Sequence, residues 1–555
     1  MSDLIWSVQL ADPGLAAAVG DLRGRLAQAG WSDAGDLCQR PDAGDVVVVW
    51  ADRPLGAGLV DRLLAGRRPV LLGGDTIALG DPSGRLAEAA GLRLGPATPV
   101  HDLRLRADQP DAPLAVRLDD HAHSGGAHLG VHTHAVDRVL PVEQAEPDLQ
   151  VLLTARLGLA DHPVAGWRPA TGLLTWSLGS RPAAVAAGST VRLLTLALRH
   201  ALHRPALPPV RVGLLGYGAI GHEHNRAVQQ VEGLTLTAVC DSSAARFEAA
   251  RRYAPDARCG TEAEDLLAAD DVDLILVSTP PDSHAYWAMA AIEAGKHVIV
   301  EKPFAISTVQ CDAVLTAAAD RDLLVAVYQN RRYDPDHLAI RRALQHDLLG
   351  DLFHLEAFVG GYGHPCNLWH SDPAVSGGAV YDWGAHVLDQ LLDLMPGPIE
   401  AVPAVEQKRV WFDVSNADHS RVTVHFAGGA EATFVYSDLA AALKPRWYLL
   451  GTRGAIVGHW RHERVIARSD IGTLDEDLLS PSDSPPTLEL HAPDGSATRL
   501  ATPPPGAHPF HRELADRLLL GLPMSVTAAQ SRRVLAVMEA AAASARQSGR
   551  PVTPQ

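Results

Sequence analysis

At 555 residues the chain is too long for one ordinary hydrophobic core, and its length suggests roughly two to four domains. Hydrophobic residues make up 47% and charged residues 20%, the balance of a soluble globular protein. The formal net charge of −17, with no run of Lys and Arg, argues against a nucleic-acid surface, and no apolar stretch approaches the roughly 18 residues that a membrane span needs. The five cysteines are scattered without a CxxC pair, and the N-terminal MSDLIWSVQLADPG lacks the basic start and small-residue cleavage site of a secretion signal. Both features suggest reduced thiols and a cytoplasmic protein.

In chain order, LIWSVQL, DVVVVW and PVLLGG read as strands. LAAAVGDLRGRLAQAG and GAGLVDRLLAG, between them, read as helices. Strand–helix alternation predicts a parallel sheet for residues 1–203. The proline-rich HRPALPPV that follows reads as a linker, with residues 204–209 at its centre. Residues 210–330 alternate again: VRVGLLG, LTAVCD, LILVST, HVIVEK and LLVAVYQ are strands, with helical patterns such as SHAYWAMAAIEAG between. After Gln329 the period shortens. LFHLEAFVGGYG, EAVPAVEQKRVWFDV, DHSRVTVHFAGG and EATFVYSD alternate as strands do, which predicts an open, mainly antiparallel sheet in an α+β domain over 331–555. The Pro-, Ser- and Asp-rich stretch 474–506 reads as irregular, and QSRRVLAVMEAAAASARQ as a closing helix.

The most specific local signal is VGLLGYGAIGHEHNRA, residues 212–227. Gly216, Gly218 and Gly221 form G-x-G-x-x-G, with Tyr217, Ala219 and Ile220 between them, directly after an apolar strand and at the start of a helix. Glycines there let the backbone approach a pyrophosphate, while the helix N-terminus offers N–H donors and partial positive charge. Asp241 lies 20 residues beyond Gly221 at the end of LTAVCD, where a carboxylate accepts hydrogen bonds from an adenosine ribose. That carboxylate would repel a 2′-phosphate, so the expected cofactor is NAD rather than NADP.

Two further motifs, STPPDSH with Thr279, Pro280 and His284, and VIVEKPFA with Glu301 and Lys302, stand at the C-terminal ends of predicted strands, where ligands bind in such sheets. A glycine-rich stretch then leads into D-x-G-x-H in SGGAVYDWGAHVLDQL, giving Asp382 and His386. Positions four apart share a helix face, so both can project into one cleft. Taking a hydride from an alcohol also requires removal of the hydroxyl proton. Histidine suits that task, a nearby carboxylate can orient it, and a lysine can bind the reacting oxygen. The expected roles are His386 as acid/base, Asp382 as its partner and Lys302 as the oxygen-binding electrophile.

These motifs, in this order, resemble the Gfo/Idh/MocA oxidoreductase family over roughly residues 209–550. The resemblance implies a Rossmann domain of doubly wound parallel sheet followed by an α+β domain. It also implies that Lys302 lies beside the nicotinamide and the substrate, and that Gln329, Asn330 and Arg331 stand where the cofactor site closes. Trp369 and His370, in NLWHSDP, would sit on a loop bordering the substrate. His284 could instead cap its helix.

Further upstream, HPVAGWRPATGLLTWSLGSRPAAV followed by RLLTLALRHAL resembles the end of ThuA-like domains, which share the flavodoxin-like α/β fold of class I glutamine amidotransferases. Such chemistry needs a cysteine on a strand-to-helix elbow. The one cysteine of this region, Cys38, falls in the loop-like GDLCQRPDAG, and PVLLGGDTIALG offers only Asp75 and Thr76. No glutaminase activity is expected; a docking, oligomerisation or substrate-shielding role is. The histidine-rich HAHSGGAHLGVHTH, with His121, His123, His128, His132 and His134, has three glycines and no Cys to fix a geometry, and is not expected to hold a metal.

Together these features predict an NAD-dependent oxidoreductase acting on a secondary hydroxyl of a sugar, inositol or related polyol, with no nucleic-acid or membrane partner, as a homodimer or homotetramer. Two alternatives stand beside it. One is redox-neutral glycoside cleavage through a keto intermediate on tightly held NAD, which net reduction of free NAD would separate. The other is a catalytically silent regulatory or scaffold protein.

Overall fold

The computed structural model describes residues 2–29, 31–40, 43–66, 68–94, 98–99, 103–106, 132–133, 138–139, 142–157, 160–177, 185, 188–204, 207–365, 369–460, 463–469, 472–478, 486–503 and 508–555. The chain divides into two compact units. The first comprises Met1–Pro209, Val231–Gly233 and Arg512–Pro523. Its main sheet begins with five parallel strands in the spatial order Trp31–Asp36, Ser2–Gln9, Val46–Ala51, Val70–Gly73 and Leu173–Trp176. That is the flavodoxin-like winding. Antiparallel pairing then continues it through Ala160–Arg168, Gln150–Leu157, Leu103–Arg106 and His132–Thr133.

The VVVVWA strand is buried along its whole length because helices cover both faces of the sheet, as parallel sheets require. The helix Pro13–Gln28 starts where Asp12 accepts hydrogen bonds from the Gly14 and Leu15 amides, and buries Leu15, Val19, Leu22 and Leu26 on one face. The helix Ala57–Ala65 buries Leu59, Val60 and Leu63 in a second core. The strand Trp31–Asp36 was not anticipated, since WSDAGD carries almost no apolar pattern. Cys38 lies in the turn after it and is exposed, while Asp75 and Thr76 stand at the end of Val70–Gly73. Most of the histidine-rich stretch, and the metal question attached to it, lies outside the described residues.

The second unit comprises Val210–Gln230, Leu234–His511 and Met524–Gln555. Six parallel strands stand in the order Arg258–Gly260, Leu234–Cys240, Val210–Leu215, Leu274–Val277, His297–Val300 and Val325–Val327. This is the doubly wound dinucleotide-binding order, whose winding reverses between Val210–Leu215 and Leu274–Val277 and opens a crevice at the strand ends there. The edge strand Arg258–Gly260 has three residues and no apolar run, so the sequence reading missed it.

A larger sheet follows. Leu352–Gly360 pairs parallel with Glu431–Ser437, and the other pairings are antiparallel. Two expectations fail here. The stretch 474–506 is not irregular throughout: Thr487–His491 and Ala497–Leu500 extend this sheet as a hairpin, turning where Gly495 takes φ +85°. Conversely, RVWFDV is not a strand. Asp418, fully buried, accepts from the Arg409, Val410 and Trp411 amides and from Lys408 Nζ, and so curls this segment into a loop. Burial alone would raise the Asp418 carboxyl; these donors outweigh it and bring it to about 2.

The helix Ala379–Leu394 packs on the inner face of this sheet and against the helix Ala528–Arg546. Arg332 fixes its position. The guanidinium bonds Asp389 through Nε at 2.8 Å and Nη2 at 2.6 Å, and Asp393 at 2.8 Å, with Arg332 and Asp389 both 2% exposed or less. Replacing Arg332 by Met would strand the buried Asp389 carboxylate and remove one partner of Asp393, which His337 and Arg341 still hold. The expected loss is roughly 3–5 kcal/mol, the cost of breaking a buried pair, read as a lower denaturant midpoint at unchanged slope. A midpoint equal to the parent's would show that the network carries no stability.

Candidate active site

Each glycine of the turn has its own steric reason. Gly216 takes φ +91°, and a Cβ there would lie 2.5 Å from the Ser278 carbonyl oxygen. A Cβ on Gly221 would lie 2.4 Å from the Gly216 oxygen, so the third glycine lets helix Ala219–Gln230 pack close to the turn. A Cβ on Gly218 would meet only the Arg246 guanidinium at 4.0 Å, leaving the backbone open on the cleft side. A tight turn, an open approach and a close helix packing are what a dinucleotide pyrophosphate demands, so these residues fit one. Asp241 accepts from the Tyr217 amide at 2.7 Å and the Ser243 amide at 2.8 Å, which places its carboxylate beside the turn. It also pairs with Arg246 at 2.9 Å, a cation the sequence reading did not connect to it because five residues separate the two.

A cleft of about 1320 Å³ runs from this turn along the strand ends. It brings together Gly216, Gly218, Ala219, Ile220, Asp241, Thr279, Pro280, Glu301, Lys302, Arg331, Trp369, His370, Asp382 and His386. Four expected cofactor residues stand elsewhere. The Tyr217 side chain is fully buried and its hydroxyl accepts from Asn225, Gly221 faces the turn, and Gln329, just past the strand Val325–Val327, is 2% exposed. His284, 1% exposed, has its ring nitrogens 2.7 Å from the Pro303 and Thr279 carbonyl oxygens. It ties the STPPDSH and EKP segments together beneath the cleft.

Lys302, just past the strand His297–Val300, and Asp382, in the first turn of the helix Ala379–Leu394, meet at 2.8 Å. Burial works to raise the Asp382 carboxyl, but Lys302 and then His370 outweigh it and leave it below the ordinary value. The partner of Asp382 is therefore Lys302 and not His386, which corrects the expected pairing: the i, i+4 spacing puts both on one face, but the lysine charge is the stronger attraction. His386 Nδ1 is buried without a hydrogen-bond partner among the described residues, against the edge of the Trp383 ring. Burial, followed by Lys302, Arg331 and Arg446, depresses its pKa well below 6.5, so the imidazole is neutral and able to accept a proton. Arg331 lies over Trp383 at 5.0 Å and pairs with Asp334 at 3.6 Å. Trp369 and His370 stack at 3.6 Å, and the His370 carbonyl accepts from Asn416 of the loop that Asp418 curls. Tyr362, His364, Asn416, Tyr436 and Asp438 complete that end of the cleft. Sequence reading missed them because they come from turns and strand ends with no fixed spacing.

Residues 210–329 match the family model described as "Oxidoreductase family, NAD-binding Rossmann fold", and residues 337–457 match the GFO/IDH/MocA C-terminal domain. The chain is 27% identical over 350 residues to the scyllo-inositol 2-dehydrogenase (NADP(+)) IolW of Bacillus subtilis, covering 62% of this chain and 96% of that protein. It is 32% identical over 162 residues to a glycosyl hydrolase family 109 protein of Shewanella baltica, 28% of this chain and 35% of the relative. Among solved structures, an NAD-binding protein from Listeria innocua superposes with a TM-score of 0.52 at 28% identity, covering 62% of this chain and 97% of that one. Residues 210–329 and 337–457 thus carry the NAD-binding and C-terminal domains of the Gfo/Idh/MocA oxidoreductase family.

Proposed function

We propose that the chain oxidises or reduces a secondary hydroxyl of a sugar, inositol or related polyol with NAD. One observation carries this reading: Lys302, Asp382 and His386 line the same cleft as the glycine turn. The nicotinamide, when bound, supplies the hydride exchange. The chain's own residues handle the proton and the oxygen. His386, neutral in its buried position, takes the hydroxyl proton. The Lys302 ammonium donates to the reacting oxygen and stabilises its developing charge, and Asp382 holds that ammonium in place at 2.8 Å. The polyol class is supported by the likeness to IolW. A second reading, redox-neutral glycoside cleavage, is favoured by the shorter likeness to the glycosyl hydrolase family 109 protein. A catalytically silent regulatory or scaffold protein is the third, and these three side chains speak against it.

The first unit remains a proposed ThuA-like domain over residues 1–203, without glutaminase chemistry. Self-association as a homodimer or homotetramer is supported by Phe353 and Tyr448, exposed on the large sheet.

A screen of NAD reduction across sugars, inositols and sugar acids tests the main reading. With a substrate in hand, His386→Ala should lower turnover by roughly 10²–10⁴-fold and Lys302→Ala by about 10²–10³-fold, with NAD affinity little changed in the first. The acid limb of the parent's pH–rate profile should lie below pH 6.5, because the His386 pKa is depressed from that value. Near-parent turnover in both variants would favour the silent reading.

The cofactor preference tests the ribose end. Asp241 repels a 2′-phosphate, while Arg246 at 2.9 Å offsets part of that charge. NAD is expected to bind more tightly, with measurable NADP affinity. Arg246→Ala should weaken NADP about tenfold more than NAD, the order of one exposed charge contact. Tighter NADP binding in the parent, or equal losses in the variant, would overturn this account of the pair.

A further inference from the structure

Glu301 is a carboxylate in an unusual position. It follows the strand His297–Val300 and lines the cleft, yet is only 7% exposed. Its Oε2 accepts from the Lys302 amide at 3.0 Å, and its Oε1 lies 2.8 Å from His224 Nε2. Among the described residues these are its hydrogen-bond partners, and the adjacent Lys302 ammonium is bound to Asp382 instead. His224 is 1% exposed on the helix that follows the glycine turn, and its Nδ1 lies 2.9 Å from Nε2 of His511, also 1% exposed. Among the described residues, His511 Nδ1 has no partner.

That last atom decides where the protons sit. With Glu301 ionised, His224 donates from Nε2 and accepts at Nδ1, and His511 donates from Nε2. The orphaned His511 Nδ1 is then a bare lone pair. With Glu301 protonated, every bond in the chain reverses, and His511 Nδ1 becomes a buried N–H without an acceptor. A stranded donor is the costlier and rarer defect. Burial, with His224 and His508 nearby, also holds His511 well below the usual imidazole range, in keeping with a neutral ring.

The pyrophosphate turn and Asp241 occupy one side of the winding reversal, so the ends of Leu274–Val277 and His297–Val300 face the nicotinamide half. We propose that Glu301, held as an uncompensated carboxylate by the paired tautomers of His224 and His511, biases the site toward the oxidised, positively charged nicotinamide over the neutral reduced ring. His224 and His511 act through Glu301 as positioning residues. The inference rests on the dinucleotide reading of the cleft and adds a property to it.

Equilibrium binding tests this without turnover: Kd for NAD⁺ and for NADH, measured on the parent, Glu301→Gln, His511→Leu and His511→Gln. Glu301→Gln keeps the shape and removes the charge. It should weaken NAD⁺ relative to NADH by about tenfold, the order expected for one charge several ångströms away at an interior-like dielectric. His511→Leu removes the donor that fixes His224 and should move the ratio in the same direction. His511→Gln, which retains an N–H for His224 Nδ1, should return it toward the parent's. A parent-like ratio in Glu301→Gln overturns the proposal. If that variant binds neither form, the His511 pair decides, and equal ratios in Leu and Gln overturn it. A parent that binds neither cofactor would sink the dinucleotide reading itself.

Discussion

The contact between the Lys302 ammonium and the Asp382 carboxylate organises the candidate site. Lys302 follows a strand of the parallel sheet, and Asp382 opens a helix packed on the antiparallel one. Each charge would be expensive in that cleft alone, and each lowers the cost of the other. The pair also has an electrostatic consequence one helical turn away. His386 feels Lys302, Arg331 and Arg446, and no carboxylate bonds its Nδ1. A histidine beside an unpaired aspartate would be drawn toward the charged form. Here the aspartate is engaged by lysine, and the histidine stays a base.

Keeping that imidazole neutral has a price in acid. An unfolded histidine takes up its proton near pH 6.5, whereas buried His386, His511 and His284 and half-buried His370 do so only at lower pH in the folded protein. The unfolded chain therefore binds more protons below about pH 6.5, and stability falls as pH drops through that value. The same desolvation that keeps His386 neutral makes the second unit sensitive to acid.

How far the sequence could be read follows from the range of the forces involved. Gly216, Gly218 and Gly221 act through local backbone sterics, so their spacing, between an apolar strand and a helix pattern, suggested their roles. Strands such as VVVVWA and LILV were equally plain, because burial on both faces leaves an unbroken apolar run. Asp382 and His386 were placed on one face by helical period, but their partners were not, since Lys302 is 80 residues from Asp382. Arg246 escaped notice because nothing in DSSAAR marks the backbone turn that carries it back to Asp241. The RVWFDV loop failed for a related reason. Its alternation suits a strand, but a single buried carboxylate several residues later captures its amides.

Among the described residues, several buried polar atoms without a protein partner lie in the cleft. Ser278 Oγ, Arg331 Nε, His370 Nδ1, His386 Nδ1 and Asn416 Oδ1 are all buried, and all belong to residues that line the cleft. Folding ordinarily satisfies such atoms, because each orphan costs on the order of 1–3 kcal/mol. Other orphans lie elsewhere in the second unit, at Gln310, His337 and Arg446 for example, but these five belong to the lining that a bound ligand meets. Their chemistry is mixed: two imidazole nitrogens, an amide oxygen, a hydroxyl and a guanidinium N–H. Such a set suits a ligand carrying several hydroxyls, each able to donate and accept, better than it suits a purely apolar molecule. Four of these five atoms lie outside the Lys302, Asp382 and His386 constellation, and they add to the case for the hydroxyl-rich ligand proposed from it.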